Sequence, residues 1–77
     1  MIYEASDIGR NIKRLRKAAG LMQYDLAEMI GVEYAGSISV YETGKAVPGG
    51  ETLIKLAGAL ECSMEDLFCK SNCETTS

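Results

Sequence analysis

Apolar residues return along this chain with the period of a helix and not of a strand. Ile8, Ile12, Leu15 and Ala19 fall at i, i+4, i+7 and i+11, one face of a helix predicted over residues 7–19. Ser6 or Asp7 is placed to cap its start, and Gly20 sits where a left-handed terminator belongs. A second helix is predicted over residues 23–30, with Leu26, Ala27 and Ile30 on one side and Gly31 at its end. A third covers residues 36–43, with Ile38 and Tyr41 three apart, and Gly44 closes it. Pro48, Gly49 and Gly50 break the chain. A fourth, over residues 51–60, turns Leu53, Leu56, Ala57 and Leu60 inward. Ser63 then opens a short fifth helix, with Asp66 three residues on as in a capping box, presenting Met64, Leu67 and Phe68. Beyond Phe68 the apolar period is lost. The pattern therefore predicts an all-α domain over residues 1–69 and a frayed tail over residues 70–77.

Composition narrows this reading. A chain of 77 residues, 47% hydrophobic and 25% charged, holds one globular domain near the lower limit for a single core. Its aromatics are Tyr3, Tyr24, Tyr34, Tyr41 and Phe68, so the core must be aliphatic. No apolar run approaches the roughly 20 residues that cross a bilayer, and Glu4 and Asp7 near the start are unlike a secretory signal. These features predict a cytoplasmic protein with no membrane partner. The net charge of −3 is unfavourable for a polyanion, but five of the eight cations (Arg10, Lys13, Arg14, Arg16 and Lys17) lie within one helix. Glu61, Glu65, Asp66 and Glu74 fall towards the other end. A partner feels the field of the docking face as well as the total charge.

Catalytic chemistry finds no support. Histidine is absent, and Cys62, Cys69 and Cys73 cannot all pair within one chain. A zinc site would need three thiolates and a carboxylate or a second chain, so reduced thiols and no metal are expected. No Cys-centred triad or phosphate-loop glycine pattern occurs, and Glu65 and Asp66 are neighbours that cannot face one pocket. The sequence predicts no enzyme, no cofactor and no small-molecule ligand.

The informative stretch runs from Gln23 to Gly44. Two short helices joined by a glycine-containing turn cannot bury their apolar faces alone and need helices before and behind them. That is the logic of a helix-turn-helix, whose second helix keeps its far side exposed. The residues that carry a family resemblance are IGRNIKRLRKAAGL over 8–21, then Gln23, Leu26-Ala27-Glu28, Ile30-Gly31-Val32, Ile38-Ser39, Tyr41-Glu42-Thr43-Gly44-Lys45, Pro48 and Glu51-Thr52-Leu53. In order and spacing over residues 8–68 the chain resembles the phage-repressor and Cro family of Xre-like bacterial regulators. The resemblance implies a five-helix repressor-like domain that binds double-stranded DNA with the third helix in the major groove. It further implies a homodimer, for which the fifth helix with Leu67 and Phe68 offers a contact.

By the same resemblance, Gln23 hydrogen-bonds the DNA backbone and braces the reading helix, and Lys45 approaches a phosphate. Arg16 and Glu42 match positions that pair, tying the first helix to the end of the third. Tyr41 falls on the core side. The third helix departs from the family, with one residue more than usual around Glu33, Tyr34 and Ala35. The candidate reading positions become Tyr34, Ala35, Gly36, Ser37, Ser39 and Val40, without the Arg, Asn or Gln that makes bidentate base contacts. Serines bond to several bases, and Val40 can meet a thymine methyl. Gly36 costs about 1 kcal/mol of helix propensity. Met22 replaces the polar cap usual before the second helix, again about 1 kcal/mol. These departures keep open a second reading, a protein-interaction module (for example an antitoxin-like partner) that retains the fold with weak or lost DNA binding.

Overall fold

The computed structural model describes residues 5–31 and 36–68, with side chains from Ser6 onward. Tyr34 and Ala35, the extra residue beside them, Cys69, Cys73 and the 70–77 tail lie outside the described residues. Among the described residues five helices follow in order: α1 (Ala5–Ala18), α2 (Gln23–Ile30), α3 (Gly36–Glu42), α4 (Gly50–Leu60) and α5 (Met64–Phe68). No strand occurs among the described residues. The periodicity located every helix to within two residues at each end.

Glycine and capping chemistry set the boundaries. Gly20 adopts φ 76°, where its N–H reaches the Lys17 carbonyl and that of Leu21 reaches Arg16, closing the last turn of α1. The α1 start differs from expectation. The helix begins at Ala5, so Ser6 and Asp7 lie inside it, and Asp7 serves the first turn by its charge. Ala19 follows the helix and is exposed, so it does not extend the buried stripe. The capping box of α5 is present in full: Ser63 N–H donates to Asp66 Oδ2 at 3.1 Å and Asp66 N–H to Ser63 Oγ at 3.2 Å. Met22 makes no side-chain cap on α2. Half of the usual box survives, because Asp25 Oδ2 accepts the Met22 N–H at 2.9 Å.

At the end of α4 a non-glycine residue takes the left-handed conformation. Glu61 has φ 55° and ψ 47°, and the Cys62 N–H reaches back to Ala57. An L side chain is strained there by about 1–2 kcal/mol, whereas glycine accepts the geometry at some cost in unfolded-state entropy. Glu61→Gly should therefore stabilise the domain by about 0.5–1 kcal/mol. An unchanged or lowered urea midpoint would contradict this.

The core is aliphatic: Ile8, Ile12, Leu26, Ala27, Ile30, Ile38, Leu53, Leu56, Ala57, Leu60 and Leu67. Leu15, Leu21, Tyr41, Met64 and Phe68 pack around it, half-buried. α1 lies against α3 and α5, α2 against α3 and α4, and α4 against α5. Leu67 is 0% exposed within its own chain. It therefore cannot supply the subunit contact expected of the fifth helix, because the domain has already used that side chain to close its core.

Candidate nucleic-acid interface

α2 ends at Gly31, whose φ of 83° turns the chain so that its N–H meets the carbonyls of Ala27 and Glu28. Leu26, Ile30 and Ile38 join α2 and α3 in one core. Because Ile38 is the α3 residue driven inward, its neighbours are left towards solvent. Gly36, Ser37 and Ser39 are half-buried, and Val40 is exposed.

A polar node fixes this pair against α1. Arg16 Nε donates to Glu42 Oε2 at 2.6 Å and Arg16 Nη2 to Glu42 Oε1 at 3.2 Å, a bidentate pair. Arg16 Nη1 also donates to the Leu21 carbonyl at 2.9 Å, and Gln23 Nε2 donates to Glu42 Oε1 at 3.0 Å. The two charged side chains are only 9% and 3% exposed, so their ionic groups are desolvated and depend on one another. Four segments meet here: the last turn of α1, the α1–α2 turn, the start of α2 and the end of α3. The amide of Gln23 is consequently held beside the C-terminal end of α3 at the open edge of α2.

After α3 the chain turns at Gly44, with φ 81°. Gly44 N–H donates to the Tyr41 carbonyl and Lys45 N–H to that of Val40. Thr43 Oγ1 donates to the Val40 carbonyl at 3.1 Å. A Cβ at Gly44 would stand 3.1 Å from the Ser6 Cα, so both conformation and space call for glycine. Lys45 leaves this turn exposed. Of the described candidates, Gln23 is tied to the end of α3, Ser37, Ser39 and Val40 lie on α3 with Val40 exposed, and Lys45 is exposed in the turn that follows. The candidates Tyr34 and Ala35 lie outside the described residues.

Two supporting residues lie outside the set that the sequence pattern singles out. Asn11 is 2% exposed, and its Nδ2 donates to the Leu67 carbonyl at 2.9 Å, joining α1 to α5. Its signal was a polar residue between Ile8, Ile12 and Leu15 on an apolar face. Gly9 is the second. A Cβ there would overlap the Tyr41 carbonyl oxygen and fall 2.7 Å from that of Glu42, so α1 and α3 meet almost backbone to backbone. Its signal was an isolated glycine inside a helical pattern. Of the cysteines, the described one is Cys62, half-buried, with its thiol pKa pushed up by burial and by Asp66 against an opposing effect of Arg14. A protonated thiol is a poor nucleophile and metal ligand. Among the described residues no cluster of cysteine and acidic side chains is arranged to hold a metal ion. None of their helices is long and apolar enough to cross a membrane.

Residues 12–67 match the helix-turn-helix family, and the chain belongs to it. The chain is 37% identical over 60 residues to the transcriptional repressor RstR of the cryptic phage CTXphi from Vibrio cholerae. That alignment covers 78% of this chain and 53% of the relative, so the chain spans about half of RstR. Among solved structures, the c2 repressor of Salmonella phage P22 bound to a synthetic operator superposes with a TM-score of 0.74 at 36% identity. It covers 79% of this chain and 91% of that one. The restriction-modification controller protein C.AhdI of Aeromonas hydrophila gives 0.77 at 30% identity, over 83% of this chain and 96% of the other.

Proposed function

We propose that this chain binds specific sequences in double-stranded DNA and regulates transcription in the cytoplasm, as a repressor, with α3 in the major groove. The observation that carries the reading is the Arg16–Glu42–Gln23 node, which fixes the start of α2 against the end of α3 while Val40 on α3 stays exposed. Similarity to phage repressors, one of them solved on its operator, supports it. Gln23 and Lys45 approach phosphates on either flank of the reading helix. Ser37, Ser39 and Val40 meet base edges, as do the candidate readers Tyr34, Ala35 and Gly36. The serines bond to more than one base and Val40 favours a thymine methyl, so discrimination at each position is weaker than a bidentate contact gives. Two subunits would read half-sites about 34 Å apart.

Selection of bound sequences from a random duplex pool tests the proposal and yields the site together. Ser37→Ala and Val40→Ala should alter the preferred bases by about 1 kcal/mol or less per position. Lys45→Ala should weaken all sequences evenly and flatten the dependence of log K on log salt by about 0.9. If folded protein enriches no duplex even at low salt, DNA binding fails and a protein-interaction role takes its place.

A further inference from the structure

The five cations of α1 separate into two groups once the helix is built. Arg16 is committed to Glu42 and the Leu21 carbonyl, and Arg14 Nη2 turns to Asn11 Oδ1 at 3.4 Å, beside α5. Arg10, Lys13 and Lys17 are left exposed. They stand at i, i+3 and i+7 and so form one stripe, opposite the buried Ile8 and Ile12. At about 100° per residue, the stripe lies about 80° round the helix from Gly9 and Arg16, the residues α1 turns to α3.

The course of α1 decides what this stripe borders. At its beginning, Ser6 abuts Gly44, one residue before Lys45. At its end, Arg16 reaches Glu42 and through it Gln23. α1 therefore runs beside the end of α3, from the Lys45 turn to the start of α2, and carries the stripe along its outer side. These are the two places proposed to flank the reading helix with phosphate contacts. Arg10 to Lys17 spans about 10 Å at 1.5 Å per residue. Lys55, by contrast, lies on α4 with the Glu51 carboxylate 3.9 Å away.

We propose that Arg10, Lys13 and Lys17 form a second phosphate-binding surface, which lies along the sugar–phosphate backbone of the duplex that α3 reads. The proposal rests on the DNA-binding reading and adds its main electrostatic part. Together with Lys45, the stripe gives a protein of net charge −3 a local positive field around α3.

The test measures binding of the full chain to its selected duplex across a salt series, for wild type, R10Q, K13Q, K17Q, the triple variant and K55Q. Glutamine keeps the helix propensity of the residues it replaces, and circular dichroism confirms folding. Each stripe substitution should flatten the slope of log K against log salt by about 0.9, and the triple variant by about 2.7 per bound subunit. A fourfold rise in salt would then weaken the triple variant about 40-fold less than wild type, by the same slope. Base preferences should not change. K55Q removes the same charge away from the stripe and should leave the slope alone. An unchanged slope in the triple variant overturns the proposal while DNA binding stands. So does a K55Q effect equal to that of K13Q, which would mean a whole-molecule charge effect. A wild-type protein that binds no duplex overturns both readings.

Discussion

Glu42→Ala should destabilise the domain by about 3–5 kcal/mol, the range for removing one partner of a buried ion pair. The change strips the acceptor from Arg16 Nε and Nη2 and from Gln23 Nε2 at once, while Arg16 keeps only the Leu21 carbonyl at Nη1. With Arg16 8% exposed, water cannot readily replace what is lost. At about 4–8 °C per kcal/mol for a domain of this size, the melting temperature should fall by well over 10 °C. A double variant, Arg16→Met with Glu42→Leu, separates the two tasks of the node. Replacing both charges with apolar side chains of similar bulk should recover much of the stability, because the desolvation penalty goes with them. It leaves Gln23 without its anchor, so DNA binding should not recover in parallel. A Glu42→Ala urea midpoint equal to wild type would show that the pair contributes nothing to the fold.

The way these elements came to be legible follows from where each one's information resides. Helix positions were readable because local features encode them. Leu53, Leu56, Ala57 and Leu60 are all buried as their spacing demanded, and Gly20, Gly31 and Gly44 all take positive φ. The Ser63–Asp66 box spans only three residues and formed as written. Partners distant in sequence were another matter. The Arg16–Glu42 pairing came from family resemblance, since nothing local relates residues 26 apart. Its extension to Gln23 within the same carboxylate needed three dimensions. Asn11 meets the Leu67 carbonyl across 56 residues, and only the docking of α5 reveals that contact. The inward packing of Leu67 is hidden in the sequence for the same reason. A helix of five residues shows too little of its period to tell an inward leucine from an outward one.

Gly9→Ala should be the most damaging single-methyl addition in the domain, and Gly58→Ala supplies its control. Both glycines lie within helices, so alanine brings the same propensity gain of about 1 kcal/mol to each. Gly58 is exposed, with nothing within 4 Å of the added carbon, so that gain should appear almost undiminished. At Gly9 the methyl would overlap the Tyr41 carbonyl oxygen and fall 2.7 Å from that of Glu42. Those atoms are backbone and cannot swing aside as a side-chain tip would, so α3 must move away from α1. Overpacking of this kind costs about 1–3 kcal/mol and occasionally more. Here the cost should reach or pass the upper end, because retreat of α3 also lengthens the Arg16–Glu42 contacts one to two turns further along α1. The net loss should be about 2 kcal/mol or more after the propensity gain. DNA affinity should fall with it even under conditions where the variant is folded, because the displaced helix is the one proposed to read the groove. Denaturation of the two variants side by side decides the matter. If Gly9→Ala is as stable as Gly58→Ala, the close approach of α1 and α3 is not a feature of the folded protein.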